Sequence, residues 1–396
     1  MTNLFNPNKQ TFLQNLNPLL FIRFIAAVLV IRQHVNFPIL NNKYMTNIGW
    51  LFGGDQGSGN KAVVVFFVIS AYLMSKIWFS GKYKLSLSGV YNFYLTRIAR
   101  IVPVFYLVCI ISIFTHFPYL IEPGNKLYGR VIRIFLFLDS GEKFNQVIWS
   151  VGVEMLFYLI VPILVLIGVG TSRAINNINP ILTKIGMYCL LAFCFVCIQN
   201  LGNCYSLNPT LVAFLDLFSS NWLLRVVTSL VLFFPIFMSG FIFYPIIKRH
   251  VDDNKFQFIN RFKLSFILPV IFMMHPNTDS VSLVISTLIF IFIVENIGKN
   301  TNNNTLPENT ISNKTGELCN HLGNLSYCIY LFHMLILIRF NEVYAGYLIT
   351  KFGAFGGGVL IWVIVTVITI IISNFFYHSF EEKVRKSILE KYLIRS

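Results

Sequence analysis

Apolar residues in this chain come in long runs broken by short polar stretches, the pattern of helices that cross a bilayer. Ten runs have this character: residues 18–38, 62–79, 101–119, 147–169, 185–200, 222–246, 264–275, 280–297, 322–341 and 355–379. They predict an all-α fold, a polytopic integral membrane bundle of about ten transmembrane helices. No soluble stretch longer than about 25 residues separates them, so residues 1–396 read as a single membrane domain with its transmembrane core at 18–380. Residues 299–321 are polar and Asn-rich and read as a flexible linker, and residues 381–396 as a basic tail. No internal repeat is visible.

The first run, PLLFIRFIAAVLVIRQHVNFPIL, carries Arg23, Arg32 and His34 where lipid disfavours charge. An ionisable group in hydrocarbon costs about 2.5–3.5 kcal/mol, so it calls for a partner or a function. Arg23 and His34 are eleven residues apart. At 100° per residue they share one helix face, about 16 Å apart along the axis. Arg32 falls on a different face. A fixed cation low on the stripe and an imidazole high on it would line a route for an anionic ligand. The plainer alternative is that the arginines snorkel to the interface and His34 is a satisfied core histidine.

Composition agrees with the pattern. The chain is 56% hydrophobic and only 12% charged, with a mean hydropathy of +0.67; a soluble protein carries about twice that charge. The net charge of +15 has no stripe that would suit nucleic acid, and none is expected as a partner. Its distribution orients the spans. With a cytoplasmic N-terminus, 20 Lys and Arg fall on inner segments and 8 on outer ones, leaving Arg23, Arg32 and Arg225 within spans. This predicts a multi-pass protein of the cytoplasmic (inner) membrane with both termini cytoplasmic. Residues 16–40 do not read as a cleaved signal peptide, because the span is long and Pro38 stands where small residues would be needed. The seven cysteines read as small core residues: Cys194 and Cys197 have a metal-like spacing that nothing nearby completes.

Other polar groups interrupt later spans. Glu154 and Tyr158, at i and i+4 in 147–169, share a face. Counting from the two surfaces puts Glu154 at the depth of His34, so Glu154 is expected to pair with His34 and raise its basicity, or to form a structural ion pair with Arg32. Arg97 and Arg100, one turn apart at the inner mouth of the third span, could grip phosphate or simply contact anionic lipid. Tyr330 and His333 form a polar stripe that lines the same cavity or bonds helix to helix. The run Gly53-Gly54-Asp55-Gln56-Gly57-Ser58-Gly59-Asn60-Lys61 departs from a nucleotide-binding loop at the lysine position and is read as an outer loop folding over a cavity.

Taken in order, these motifs resemble acyltransferase family 3, the polytopic enzymes that O-acylate bacterial surface carbohydrates. The resemblance rests on Arg23-x10-His34, on Phe66-Phe67-x-x-Ser70-Ala71 and on Arg97-x-x-Arg100 with Pro103. It continues in Trp149-Ser150-x-x-x-Glu154 with Tyr158 and Pro162, in Ser326-Tyr327-x-x-Tyr330-Leu331-x-His333, and in Glu381-Glu382 after the last span. Ala71 replaces the usual glycine and Lys383 the usual proline, which leaves open whether Glu381 or Glu382 matches the family glutamate.

The resemblance implies a cytoplasmic acyl-CoA donor, acetyl-CoA by default, with no metal. Arg97 and Arg100, with Tyr330 and His333, would bind that donor, and His34, Glu154 and Arg23 would form the catalytic group. The pantetheine arm is about as long as the path from Arg23 toward His34. His34 would deprotonate a hydroxyl of a surface or lipid-linked carbohydrate (O-antigen, capsule or similar), or carry the acyl group itself. No soluble esterase-like domain follows in this sequence, so transfer is expected to be completed by the membrane domain or by a separate protein. A secondary transporter or polysaccharide exporter would also line its spans with Arg, His and Glu, but such proteins often show repeats and paired broken helices.

Overall fold

The computed structural model describes residues 17–39, 58–115, 127–138, 145–178, 180–207, 222–251, 267–275, 278–299 and 311–394. Every regular element among them is helical: α1 (Pro18–Ile39), α2 (Ser58–Phe79), α3 (Leu87–Thr115), α4 (Leu127–Phe135), α5 (Ile148–Ile178), α6 (Pro180–Leu207), α7 (Trp222–Val251), α8 (Ile267–Met274), α9 (Ser280–Lys299), α10 (Ile311–Phe340), α11 (Gly346–Phe376) and α12 (Glu382–Tyr392). Eight of these stretches are long and apolar enough to cross a membrane. The chain is a polytopic membrane helical bundle.

Contacts between helices give their directions. In α1 and α10 the Asn17 backbone N–H donates to Asn320 Oδ1 at 2.7 Å, and His34 meets His333 further along, so the two run in parallel. α3 runs the same way: the Tyr327 hydroxyl donates to the Ile101 carbonyl at 3.0 Å, and Arg339 Nη2 donates to that of Thr115 at 2.7 Å. α11 runs against them, with His321 and Trp362 reaching Asn374 and Val28 respectively. α2 and α5 are antiparallel to α1 as well. α1 is packed on α2, α10 and α11, two of which carry other polar motifs, and the side chains of α3 and α5 reach toward it from beyond these.

Close approach depends on two glycines. A Cβ at Gly323 would lie 2.5 Å from Leu20 Cβ, and one at Gly240 would lie 2.3 Å from the Val68 carbonyl oxygen. Small residues at such crossings let backbones pack without lipid-driven attraction. Gly240→Ala is expected to force α2 and α7 apart and cost about 1–3 kcal/mol. Thermal unfolding in detergent should show it, while Gly186→Ala, which meets open space, leaves the transition unchanged.

Several boundaries differ from the sequence reading. α3 begins at Leu87, well before residue 101, because Ser86 caps it: its hydroxyl accepts from the Gly89 N–H at 3.2 Å. Arg97 and Arg100 therefore lie inside a 29-residue helix, not at its mouth. Among the described residues of the run at 264–275, the helix covers Ile267–Met274, about 12 Å long, and ends there because Pro276 disfavours helical backbone at His275. The apolar part of α9, Ser280–Glu295, is also shorter than a full span.

The polar stretch expected as a linker through 321 is helical from Ile311 onward. Residues 300–310 and the glycine run at 53–57 lie outside the described residues. The segment between the last two spans is a π-helical turn (Asn341–Ala345) leading into α11, which breaks at Gly353, where φ is +74°. The basic tail forms α12 on α3, and Asn92 exchanges two hydrogen bonds with the Ile394 backbone, at 2.8 and 3.0 Å.

Candidate active site

The polar motifs gather at two levels along α1. Near its N-terminal end, Arg23 meets Arg97 and Arg100 of α3 and Glu154 and Tyr158 of α5, whose charges and dipoles act on one another. The Tyr158 hydroxyl donates to Glu154 Oε1 and lies beside Ser70 of α2. The Arg23 guanidinium stands 5.9 Å over the Phe66 ring, and that of Arg97 stands 5.9 Å over Phe93, contacts that stabilise a cation with little water around it. The Nε atoms of Arg23 and Arg97 are buried without a hydrogen-bond acceptor among the described residues. Three guanidiniums thus gather in one neighbourhood, with the Glu154 carboxylate acting on Arg23 and Arg97 and that of Glu381 on Arg100. Such an excess of buried cation is costly unless an anion joins it.

Glu154 does not reach His34, as the depth count had it. α5 enters the bundle with Ser150 at the His34 level, and Glu154 lies one turn further toward the arginines. Its hydrogen bond goes to Tyr158. Arg32 is buried at 2% exposure.

One turn above Glu154, Ser150 Oγ lies 2.6 Å from the Tyr330 hydroxyl. There a cavity of about 180 Å³ opens, lined by His34, Gln33, Asn60, Gln146, Trp149 and Tyr330 among others. The Gln33 side chain accepts the Gly59 N–H, which fixes the start of α2 over this cavity. His333 is fully buried beside it. Its ring centroid is 5.3 Å from that of His34, with 41° between the planes. Between the two levels stands Phe66, with Arg23 on one side and the Tyr330 ring 5.8 Å away on the other. The polar path along α1 is thus divided by one aromatic side chain.

Glu381 and Glu382 part company in space. Glu381 is 2% exposed and accepts from Cys328 Sγ at 3.0 Å, with the charges of Arg100 and Arg385 acting on it. Glu382 faces outward to Lys386 at 2.9 Å and His378 at 3.3 Å. The inward glutamate is therefore Glu381. Cys109, Cys194 and Cys328 are buried as expected of core cysteines, whereas Cys189 is exposed.

The acyltransferase domain family matches residues 19–378, a stretch that contains every residue of both levels. The chain belongs to acyltransferase family 3. It is 27% identical over 136 residues to the O-acetyltransferase OatA of Staphylococcus aureus, covering 31% of this chain and 22% of that protein. It is 26% identical over 161 residues to the peptidoglycan O-acetyltransferase OatA of Listeria monocytogenes, covering 37% and 23%. The matched stretch is under a quarter of the length of either relative. No solved structure matches the chain.

Ser70, Ser150 and Phe66 belong to this candidate site, although the sequence pattern alone gives them no role in it. All three lie within family motifs quoted above. What marks them in space is the hydroxyl or ring that each presents to Tyr158, Tyr330 or Arg23.

Proposed function

We propose that this acyltransferase is an O-acetyltransferase that moves an acetyl group from cytoplasmic acetyl-CoA to a hydroxyl of a surface or lipid-linked carbohydrate. The observation that carries this reading is the pairing of two unlike sites along α1: a cluster of three guanidiniums with few carboxylates near them, and a cavity beside an imidazole about 16 Å away. That both OatA relatives are O-acetyltransferases supports the acetyl group and the oxygen acceptor.

In this account the donor is a polyanion that supplies a thioester, and the arginine level is the end that faces the cytoplasm. Arg97 and Arg100 bind its phosphates, the former with a buried Nε that has no acceptor among the described residues. Arg23 takes the inner part of the chain leading to the thioester, at the step marked by Phe66. Glu154, held by Tyr158, keeps Arg23 and Arg97 in place while the site is empty of anion. His34 removes the proton of the acceptor hydroxyl in the cavity, and Tyr330 and Ser150 supply hydroxyl dipoles there. The 20-to-8 distribution of basic residues supports placing both termini in the cytoplasm.

Donor binding tests the arginine assignment. Replacing Arg97 and Arg100 together by Ala is expected to weaken acetyl-CoA binding to the purified protein at least about tenfold, since charge-assisted hydrogen bonds are worth about 1.5–3 kcal/mol each. The affinity of the unaltered protein should fall with added salt, and that of the variant should fall less. Equal affinity in the two proteins would remove phosphate binding from this site.

A further inference from the structure

We infer that His333 is a positioning residue for His34, fixing which nitrogen of that imidazole carries its proton. The inference rests on the transferase reading, in which His34 is the base. His333 Nδ1 lies 2.6 Å from the Tyr330 carbonyl oxygen. A carbonyl only accepts, so Nδ1 carries the hydrogen and Nε2 presents a lone pair. That Nε2 is buried and has no partner among the described residues, although His333 is 0% exposed. An acceptor so placed is costly to leave unmet.

The neighbour that can meet it is His34. Ring centroids 5.3 Å apart leave room for a hydrogen bond of about 3 Å between ring nitrogens once both point along the line of centres. Rotation of the rings into that alignment lets the N–H of His34 donate to His333 Nε2. The other nitrogen of His34 keeps its lone pair and faces the cavity. The order is fixed from the backbone outward: the Tyr330 carbonyl accepts from His333, which accepts from His34, which accepts from the acceptor hydroxyl. A third group orienting a base in this way is what general-base sites require, and here a neutral imidazole does it where Glu154 is out of reach.

The proton balance closes without another reagent. As the hydroxyl oxygen bonds to the thioester carbonyl carbon, its proton passes to His34. The carbon–sulfur bond breaks, and the same proton leaves on the sulfur of the departing thiol. His333 gains and loses nothing; it holds the tautomer and accepts from the transient imidazolium.

Two measurements test the inference. In the intact protein labelled with nitrogen-15 histidine, assigned by comparison with single-histidine variants, His333 should appear with its hydrogen on Nδ1. His34 should be held in one tautomer, and His333→Ala should release it into a mixture. In cells carrying each variant, acetate released from the surface glycan by mild alkali should fall at least about tenfold with His333→Ala. It should recover with His333→Gln, whose amide oxygen can accept from His34. His34 already in a mixture of tautomers in the unaltered protein, or full ester in His333→Ala, overturns the inference. Full ester in His34→Ala would instead overturn the transferase reading itself.

Discussion

His34→Ala should reduce the acetyl-ester content of the surface glycan by about 10²–10⁴-fold, the range that a positioned general base contributes, while the glycan itself still reaches the surface. The expectation comes from where His34 stands. It lines a cavity of about 180 Å³ whose walls offer hydroxyl and amide dipoles. Nothing else placed in that wall and described above is a base of comparable strength: Gln33, Asn60 and Gln146 are amides, and the Tyr330 hydroxyl is already engaged with Ser150. Removing the imidazole leaves the arginine level untouched, so the variant should still bind acetyl-CoA. Loss of ester together with retained donor binding separates the two sites. Loss of the glycan in the variant would favour an exporter.

Glu154→Gln should have the largest effect on the arginine level. The side chain keeps its shape and still accepts from Tyr158, but the carboxylate that acts on Arg23 and Arg97 is gone. Removing one partner from a buried charge cluster costs about 3–5 kcal/mol, because the remaining cations stay desolvated and unpaired. The purified variant should unfold at lower temperature in detergent. Acetyl-CoA, by adding anions to the cluster, should restore more stability to the variant than it adds to the unaltered protein. Unaltered thermal stability in Glu154→Gln would show that the carboxylate does not hold the cations.

The register of α1 was readable from residue numbers alone. Eleven residues is close to a whole number of turns, and Arg23 and His34 stand at two levels of α1 with the Phe66 ring between them. The pairing of Glu154 with His34 was not readable, because depth was counted from the ends of apolar runs. The contact between Ser150 and Tyr330 sets α5 one turn differently from that count. Arg97 and Arg100 were placed at a mouth for a related reason: residues 87–100 are too mixed to register as a span, while the cap at Ser86 extends the helix through them.

The choice between Glu381 and Glu382 needed three dimensions, since it depends on which of two adjacent side chains turns toward Cys328 and Arg100. The partnership of His34 with His333 also had no local signal. It joins two helices 299 residues apart in sequence, and only the parallel packing of α1 and α10 brings it about.

The central claim is that one ligand spans both levels of α1. A structure of the full chain with a non-transferable thioether analogue of acetyl-CoA tests it most directly. The account predicts nucleotide phosphates against Arg97 and Arg100, the pantetheine arm running past Arg23 and Phe66, and the acyl carbonyl in the cavity beside His34. An analogue bound with its phosphates away from all three arginines, or with its acyl group closed off from His34, would contradict it.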